Sequence, residues 1–513
     1  MPKSNSISNS KNMSESFVCE IPLRVAQASA NVLNARFEAA RQMYNALLAE
    51  GMRRLKLMRQ SKEFSQARAI SSTDTLRHNE RAALFKKARD TYAFSEYALS
   101  RYATNVRHSW LGEHLDAHTV QTLTKRAFNA VARVAYGKAK KVRFKGKRGL
   151  HSVEGKSQGS AVKWKDDHVA WSGISLPMVK DALKDPVIAH GLAHRVKYVR
   201  LVHRLINGKD LYYAQLVLEG KTYQKPENKL GPELVGLDIG PSTLAFAGDS
   251  QATLTMFCEP IVRNHKEIRR VQRYIDRQRR SNNPDCYDES GRAIKGKHPS
   301  KKSRRMKVSL GKLSEMFRKE AAYRKTLHGQ LTNQILSLGV HINTEKLSYR
   351  ALQKTFGKSV GVRAPGMFVS MLSRKAESAG GGVYEFNTRT TALSQVCHCG
   401  EKHRKPLRQR VHECTCGVVM QRDLYSAYLA RFVKDNVLHA TEASLSWSGA
   451  ESLLRAAWRD SQQLAIGRVI PSSFGVFRSQ SESSGKESLV ERKSLDVVTF
   501  GREPIRAQST IGS

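Results

Sequence analysis

Three acidic residues supply the first chemistry this sequence can do. Asp238 lies in Leu234-Val235-Gly236-Leu237-Asp238-Ile239-Gly240, an apolar, strand-like run that closes in glycine. Glu345 ends a second such run, Gly339-Val340-His341-Ile342-Asn343-Thr344-Glu345. Asp423 opens a helical pattern, Arg422-Asp423-Leu424-Tyr425-Ser426-Ala427-Tyr428-Leu429-Ala430. Taken singly, each has an ordinary explanation: a turn residue, a partner for a nearby Lys or Arg, a helix cap. Taken together, carboxylates on two strand ends and a helix start can converge on a pair of divalent cations, and such a pair cuts phosphodiesters. Hard oxygen ligands suit two Mg²⁺, or Mn²⁺.

The second chemistry is sulfur. Of seven cysteines, Cys19, Cys258 and Cys286 are scattered. Cys397-His398-Cys399-Gly400 and Cys414-Thr415-Cys416-Gly417 form two pairs around a basic loop. Clustered cysteines without a secretion signal point to a reducing compartment and to metal rather than disulfides. Four thiolates in two knuckles suit one structural Zn²⁺. Only one residue separates the members of each pair, where two are usual. That leaves His398, His403 or His412 as possible replacements for one sulfur.

The rest of the chain must position these groups and hold their substrate. The 513 residues carry 87 Lys+Arg against 45 Asp+Glu, a net +42 with 40% apolar residues. A foldable chain with that surplus implies a polyanionic partner. No run approaches a membrane span, so the expectation is a cytoplasmic protein associated with DNA. Strand-like residues 17–25 precede a helical stretch in which Leu33, Phe37, Ala40, Tyr44 and Leu47 share one face. Further helices are expected over about 74–110 and 119–138, the latter with Val120, Leu123, Ala127, Val131 and Val134 on one face. Arg143, Lys145, Lys147 and Arg148 then fall in a Gly-containing basic segment suited to phosphate, or to a charged linker. Residues 196–218 form a hairpin around Asn207-Gly208, whose residue types supply the positive φ of a type I′ turn. Two long basic helices follow at about 261–280 and 303–337. Arg269, Arg270, Arg273 and Arg277 on the first make a candidate nucleic-acid track. A basic loop is expected after Glu345, then a helix over about 366–379 and a strand at 383–386.

The order of the acids, with strands between the first two and a helix bearing the third, is that of an RNase H-like nuclease. Here the chain resembles the TnpB family of transposon-encoded RNA-guided nucleases and the compact type V CRISPR effectors related to it. The resemblance is carried by Gly236-Leu237-Asp238-Ile239-Gly240, Asn343-Thr344-Glu345-Lys346-Leu347 and Arg422-Asp423-Leu424-Tyr425-Ser426-Ala427 as three RuvC motifs. Val142-Arg143-Phe144-Lys145-Gly146-Lys147-Arg148-Gly149 and Val362-Arg363-Ala364-Pro365-Gly366 add to it. The chain departs from the family at the cysteine spacing, and at Tyr425-Ser426, where Asn-Ala is usual.

The resemblance implies a multidomain α+β protein. A disordered arm (1–16) would precede a small β-barrel wedge domain (17–25 and 140–231) interrupted by a helical recognition lobe (26–139). A RuvC-like nuclease domain (232–392 and 420–470) with a basic helical hairpin would carry a zinc-ribbon, target-nucleic-acid-binding insertion (393–419). A disordered tail (471–513) would end the chain. The implied activity is Mg-dependent RNA-guided DNA endonuclease chemistry at one site formed by Asp238, Glu345 and Asp423, with guide RNA and target DNA as partners. The alternative is an RNA-guided DNA-binding protein that cleaves little or not at all.

Overall fold

The computed structural model describes residues 15–159, 161–259, 261, 265–406, 408–463 and 472–475. Most of the arm and tail expected at the two ends lies outside them. Within the tail, residues 472–475 are described: Phe474 is buried, and its carbonyl accepts from Trp458 Nε1 at 3.0 Å. The chain has a multidomain α+β fold and separates into two compact units, dividing between Tyr223 and Gln224.

In the first unit, strand β1 (Ser16–Leu23) alternates strictly, burying Phe17, Cys19, Ile21 and Leu23. It pairs antiparallel with the second strand of the hairpin, β6 (Val196–Ile206) and β7 (Lys209–Glu219). The hairpin turns as its residue types require, with φ of 52° at Asn207 and 75° at Gly208. β2 (Ser152–Glu154) completes a sheet ordered β1-β7-β6-β2. A separate meander of β3 (Val162–Lys165), β4 (His168–Trp171) and β5 (Ile174–Pro177) lies beyond it. The expected barrel is thus drawn as two open ladders, linked by a Leu23–Met178 bridge.

Between β1 and β2 come helices α1 (Gln27–Gln60), α2 (Lys62–Ala69), α3 (His78–Thr91), α4 (Glu96–Arg107), α5 (Leu111–His114) and α6 (Ala117–Ala135). Every apolar position expected on one face of α1 and of α6 is buried, because a 3.6-residue period puts them on a single stripe. The segment after α6 is pinned to α1: Asn45 exchanges two 2.8 Å hydrogen bonds with the Lys145 backbone, and Arg41 donates to its carbonyl at 2.9 Å. Arg143, Lys147 and Arg148 stand exposed there, and Lys145 is half-buried. A short helix α7 (Pro186–Leu192) precedes the hairpin.

The second unit is built on a mixed five-stranded sheet ordered β10-β9-β8-β11-β12. Its strands are β8 (Leu234–Ile239), β9 (Thr243–Ala247), β10 (Ala252–Met256), β11 (His341–Glu345) and β12 (Gly382–Phe386). β8, β11 and β12 run parallel; β9 and β10 are antiparallel additions at one edge. Between β10 and β11 stand two long helices, α8 (His265–Asn282) and α9 (Arg304–Leu336). Val271 and Ile275 of α8 pack on Met306 of α9.

The stretch expected as a basic loop after Glu345 is a helix, α10 (Tyr349–Arg363), followed by α11 (Pro365–Ser378). The Ser348 side chain caps α10 by accepting from Ala351 N. The helix hides from a sequence reading because its apolar periodicity is weak and it kinks at Phe356. A four-residue helix, α12 (Thr388–Thr391), leads to the cysteine segment. There a hairpin of β13 (Val411–Glu413) and β14 (Val419–Gln421) runs directly into α13 (Arg422–Ala430).

Candidate metal centres

Gly236 decides how α13 meets the sheet. A Cβ there would lie 1.9 Å from the carbonyl oxygen of Ala427, so only glycine lets the helix backbone rest on β8. Further along, Arg431 Nε donates to the Leu234 carbonyl at 3.1 Å. Asn343, which pairs in register with Gly236, donates to the carbonyls of Ala430 and Val433, each at 3.1 Å. These contacts fix the C-terminal end of α13 over the start of β8. The N-terminal end therefore lies over the end of β8, where Thr243 Oγ1 donates to Asp423 Oδ2 at 3.2 Å.

Side chains two apart on a strand share a face. Asp238 is two residues beyond Gly236, and Glu345 two beyond Asn343, so both carboxylates lie on the face that α13 covers. Thr344 is opposite Leu237 in the parallel ladder, which puts Glu345 level with Asp238 on the neighbouring strand. All three acids expected from sequence thus meet at one end of one face.

The ordinary explanations fall away in turn. Gln421, not Asp423, caps α13, accepting from Leu424 N at 2.7 Å. Glu345 makes no ion pair among the described residues. Asp238 lies within β8 rather than in a turn.

Electrostatics reflect the crowding. Asp238 keeps a little accessible surface but is enclosed by protein. Desolvation raises its pKa well above the usual carboxylate range, and the charges of Asp423 and Glu345 push it further; Arg422 and Arg410 oppose them. Glu345 is pushed up to about 7 by burial. Arg422 lies 3.5 Å from Asp423. Neither Arg410 nor Arg422 stands out in sequence, since both are merely two more cations in a basic chain. The three acids do not form one of the tight donor clusters found among the described residues, whose ligand atoms all lie within 4.8 Å of one another. A cation between them would offset the mutual repulsion of their ionised forms. Their all-oxygen donor set fits a hard divalent ion.

The four cysteines do form such a cluster: the sulfurs of Cys397, Cys399, Cys414 and Cys416 all lie within 4.8 Å of one another. Cys397 Sγ is 3.5 Å from Cys416 Sγ, and Cys399 Sγ is 3.4 Å from Cys414 Sγ. A tetrahedral Zn²⁺ with Zn–S bonds of about 2.3 Å needs sulfurs about 3.8 Å apart, so the set fits with a small expansion. The short spacing is absorbed by two matching turns. Gly400 N donates to Cys397 O and Gly417 N to Cys414 O, each at 3.0 Å, with φ of 92° and 93° at the two glycines.

No histidine is needed to complete the four. His398 Nδ1 is 2.9 Å from the Tyr425 hydroxyl, and His412 is held by Lys405. His403 does lie in a second possible donor group with Glu401 and Cys414. Tyr425 also accepts from His398 N at 3.0 Å and contacts Cys397 Sγ at 3.2 Å. Tyr425 therefore ties the cysteine cluster to the helix of Asp423.

Arg269, Arg270, Arg273 and Arg277 all stand exposed on α8. Arg270 is paired within the helix to Glu267 at 2.9 Å. Arg269, Arg273 and Arg277 follow at four-residue steps along one side.

Fold and site together describe an α+β protein whose acid-lined sheet end is joined to a four-cysteine cluster. Comparison with known proteins narrows that description. Residues 366–429, which span both cysteine pairs and Asp423, match the family model described as Cas12f1-like, TNB domain. That model is named for Cas12f1 rather than for TnpB. Among solved structures, the chain is similar to the cryo-EM structure of the Cas12f1-sgRNA-target DNA complex, with TM-score 0.41 and 11% identity over 81% of this chain and 98% of that one. It is also similar to the cryo-EM structure of a CRISPR-Cas12f ternary complex, with TM-score 0.26 and 12% identity over 78% and 81% of the two chains. No curated protein matches its sequence.

Proposed function

We propose that this chain is an RNA-guided DNA endonuclease with one RuvC-like site, in which Asp238, Glu345 and Asp423 hold two Mg²⁺, or Mn²⁺, and act as one unit. The carrying observation is the meeting of these carboxylates, from β8, β11 and α13, at one end of the face that α13 covers. When bound, two such cations lower the pKa of an attacking water and neutralise the leaving oxygen of a scissile phosphate. The chain's own part is positional. Gly236 and Arg431 seat the helix of Asp423, Asn343 fixes its far end, and Thr243 orients one carboxylate oxygen. Arg410 and Arg422 add positive charge beside the acids, where a phosphodiester must approach.

Guidance by RNA is supported by the +42 balance and by the match of residues 366–429 to a Cas12f1-like domain model. In this reading base pairing reads the sequence, and the protein holds the heteroduplex through its backbone. The four cysteines hold one structural zinc in a target-nucleic-acid-binding module inserted before Asp423. The helical recognition lobe (26–139) and the wedge (17–25 and 140–231) account for the first unit, the wedge running on a few residues past Tyr223. The second carries the nuclease (232–392 and 420–470) around the zinc module (393–419).

The test compares the protein with Asp238→Ala on guide-matched DNA in Mg²⁺ and in Mn²⁺, measuring binding and cutting separately. The expected result is unchanged binding with cleavage lost by at least about a thousandfold, as for removal of a group that acts in the transition state. If both proteins bind and neither cuts, the chain is a guided binder. If Asp238→Ala cuts as fast as the parent, the site is misassigned.

A further inference from the structure

A cavity of about 870 Å³ opens in the first unit, between the end of α1, helices α2 and α3, and the end of α6. It belongs to the first unit, whereas the acids and the cysteines belong to the second, and the proposed nuclease chemistry has no use for it. Four arginines line it, Arg59, Arg68, Arg81 and Arg89, and no carboxylate does. Four like charges around one concavity repel one another, so an anion there lowers their energy.

Aromatic rings share the wall. Phe64 and Phe85 meet edge-on with centroids 5.4 Å apart, and both are half-buried. Tyr136 stands exposed at the rim, where the end of α6 is held by Arg59 Nη2 donating to the carbonyls of Val134 and Ala135 at 3.0 and 3.2 Å. Arg81 lines the cavity beside this aromatic pair. Its guanidinium lies 5.1 Å over the Phe85 ring, and its buried Nε meets no acceptor among the described residues.

We propose that this cavity captures one unpaired nucleotide from a bound strand, its base against the Phe64 and Phe85 rings and its phosphate among the arginines. The chemistry fits on each count. Every base has a π-face that aromatic and arginine side chains can stack on, which makes such capture tolerant of sequence. Arginine suits phosphate because its planar fork donates two parallel hydrogen bonds. The volume falls in the range of sites that enclose a small ligand. An apolar peptide would leave the arginines without an anion, and an inorganic anion would make no use of the aromatic wall. The proposal rests on the reading of the chain as a nucleic-acid binder, and not on whether it cuts.

The test uses the full chain, stripped of bound nucleic acid in high salt. It is given short single strands carrying 4-thiouridine (RNA) or 4-thiothymidine (DNA), irradiated, and mapped by peptide mass spectrometry. Adducts are expected on the peptides bearing Phe64, Phe85 or Tyr136. RNA adducts identify a guide nucleotide as the occupant, and DNA adducts a target nucleotide. Arg81→Gln should lower the yield there by roughly tenfold or more, the loss expected for a charge-assisted hydrogen bond. Phe85→Leu keeps apolar volume without a stacking face and should lower it as well. Melting curves of both variants identify any that has unfolded, and either one that folds is sufficient. Strands that bind but crosslink only elsewhere overturn the pocket alone, as does an unchanged yield in a folded variant. A chain that binds neither strand overturns the nucleic-acid reading and the pocket together.

Discussion

Asp238 and Glu345 make the stability of the metal-free protein depend on pH in a definite direction. Glu345 has an ordinary carboxyl pKa of 4.5 when exposed and about 7 when buried in the fold. Between those values the folded chain holds more protons than the unfolded one, so this stabilisation is complete below the lower value and disappears as pH rises through about 7. Asp238 shifts the same way, its burial reinforced by the two neighbouring charges. The metal-free melting temperature should therefore fall between pH 5 and pH 8, by about 2–4 °C for each kcal/mol lost. Mg²⁺ binds the ionised groups and should restore it at pH 8. Glu345→Gln removes one titrating group without changing its shape. It should flatten the slope and weaken the Mg²⁺ effect, and melting curves across pH with and without Mg²⁺ decide. An unaltered slope in Glu345→Gln would show that Glu345 is not a source of it. At this scale the acids were legible because their strand and helix contexts lie within a few residues of each. The residues that orient them were not: Asn343 acts on Ala430, 87 positions away, and Thr243 on Asp423, 180 away, and no local pattern marks such pairs.

Helix α13 links both candidate centres, and its seat on β8 can be tested directly. Gly236→Ala places a methyl 1.9 Å from the Ala427 carbonyl and 3.0 Å from Arg431 N, both backbone atoms that cannot step aside alone. The helix must lift, at a cost of about 1–3 kcal/mol or more, and Asp423 lifts with it. The expected result is a lower melting temperature and lost cleavage with zinc retained. Gly311→Ala is the control. It lies in α9 with nothing within 4 Å of the added carbon, and it should be neutral or stabilising by about 0.4–1 kcal/mol. The cysteine cluster, tied to the first turn of α13 by Tyr425, gives a further expectation. Freshly purified protein should contain one zinc per chain, and Cys399→Ser with Cys416→Ser should lose it by elemental analysis while loosening α13 through Tyr425. A zinc-free protein with normal melting would remove the metal from the site. Elements themselves were legible where one signal dominated: Asn207-Gly208 for the hairpin turn, the single apolar face for α6. Helix α10 was not, because its stability comes from the Ser348 cap and from burial of Val360, Val362 and Arg363, which a weak apolar stripe does not announce.

Across the whole molecule, the +42 charge is spent unevenly, and that unevenness makes it testable. Many cations are already paired within their own helices, as Arg53 and Arg54 are with Glu50, or Arg318 with Glu315. Such pairs add little to attraction for a polyanion. Arg269, Arg273 and Arg277 differ: they are exposed at four-residue steps on α8, while Ile268, Val271 and Ile275 of the same helix are buried. Burial of that apolar stripe is what turns the arginines outward. The charge was plain in the sequence, but its sorting into paired and outward-facing cations was not, since that depends on which side of each helix is covered. Each phosphate contact releases counterions, so the logarithm of affinity falls with the logarithm of salt by about 0.7 per contact on a single strand and 0.9 on a duplex. The parent chain should bind RNA with a steep slope and copurify with it. Replacing the three arginines with alanine should reduce that slope by about 2–3, with little change in melting temperature because no buried contact is lost. Titration of labelled RNA at several salt concentrations gives both slopes. If the slopes coincide, α8 does not contact the backbone, and if the parent slope is itself near zero, the polyanion reading of the entire chain fails.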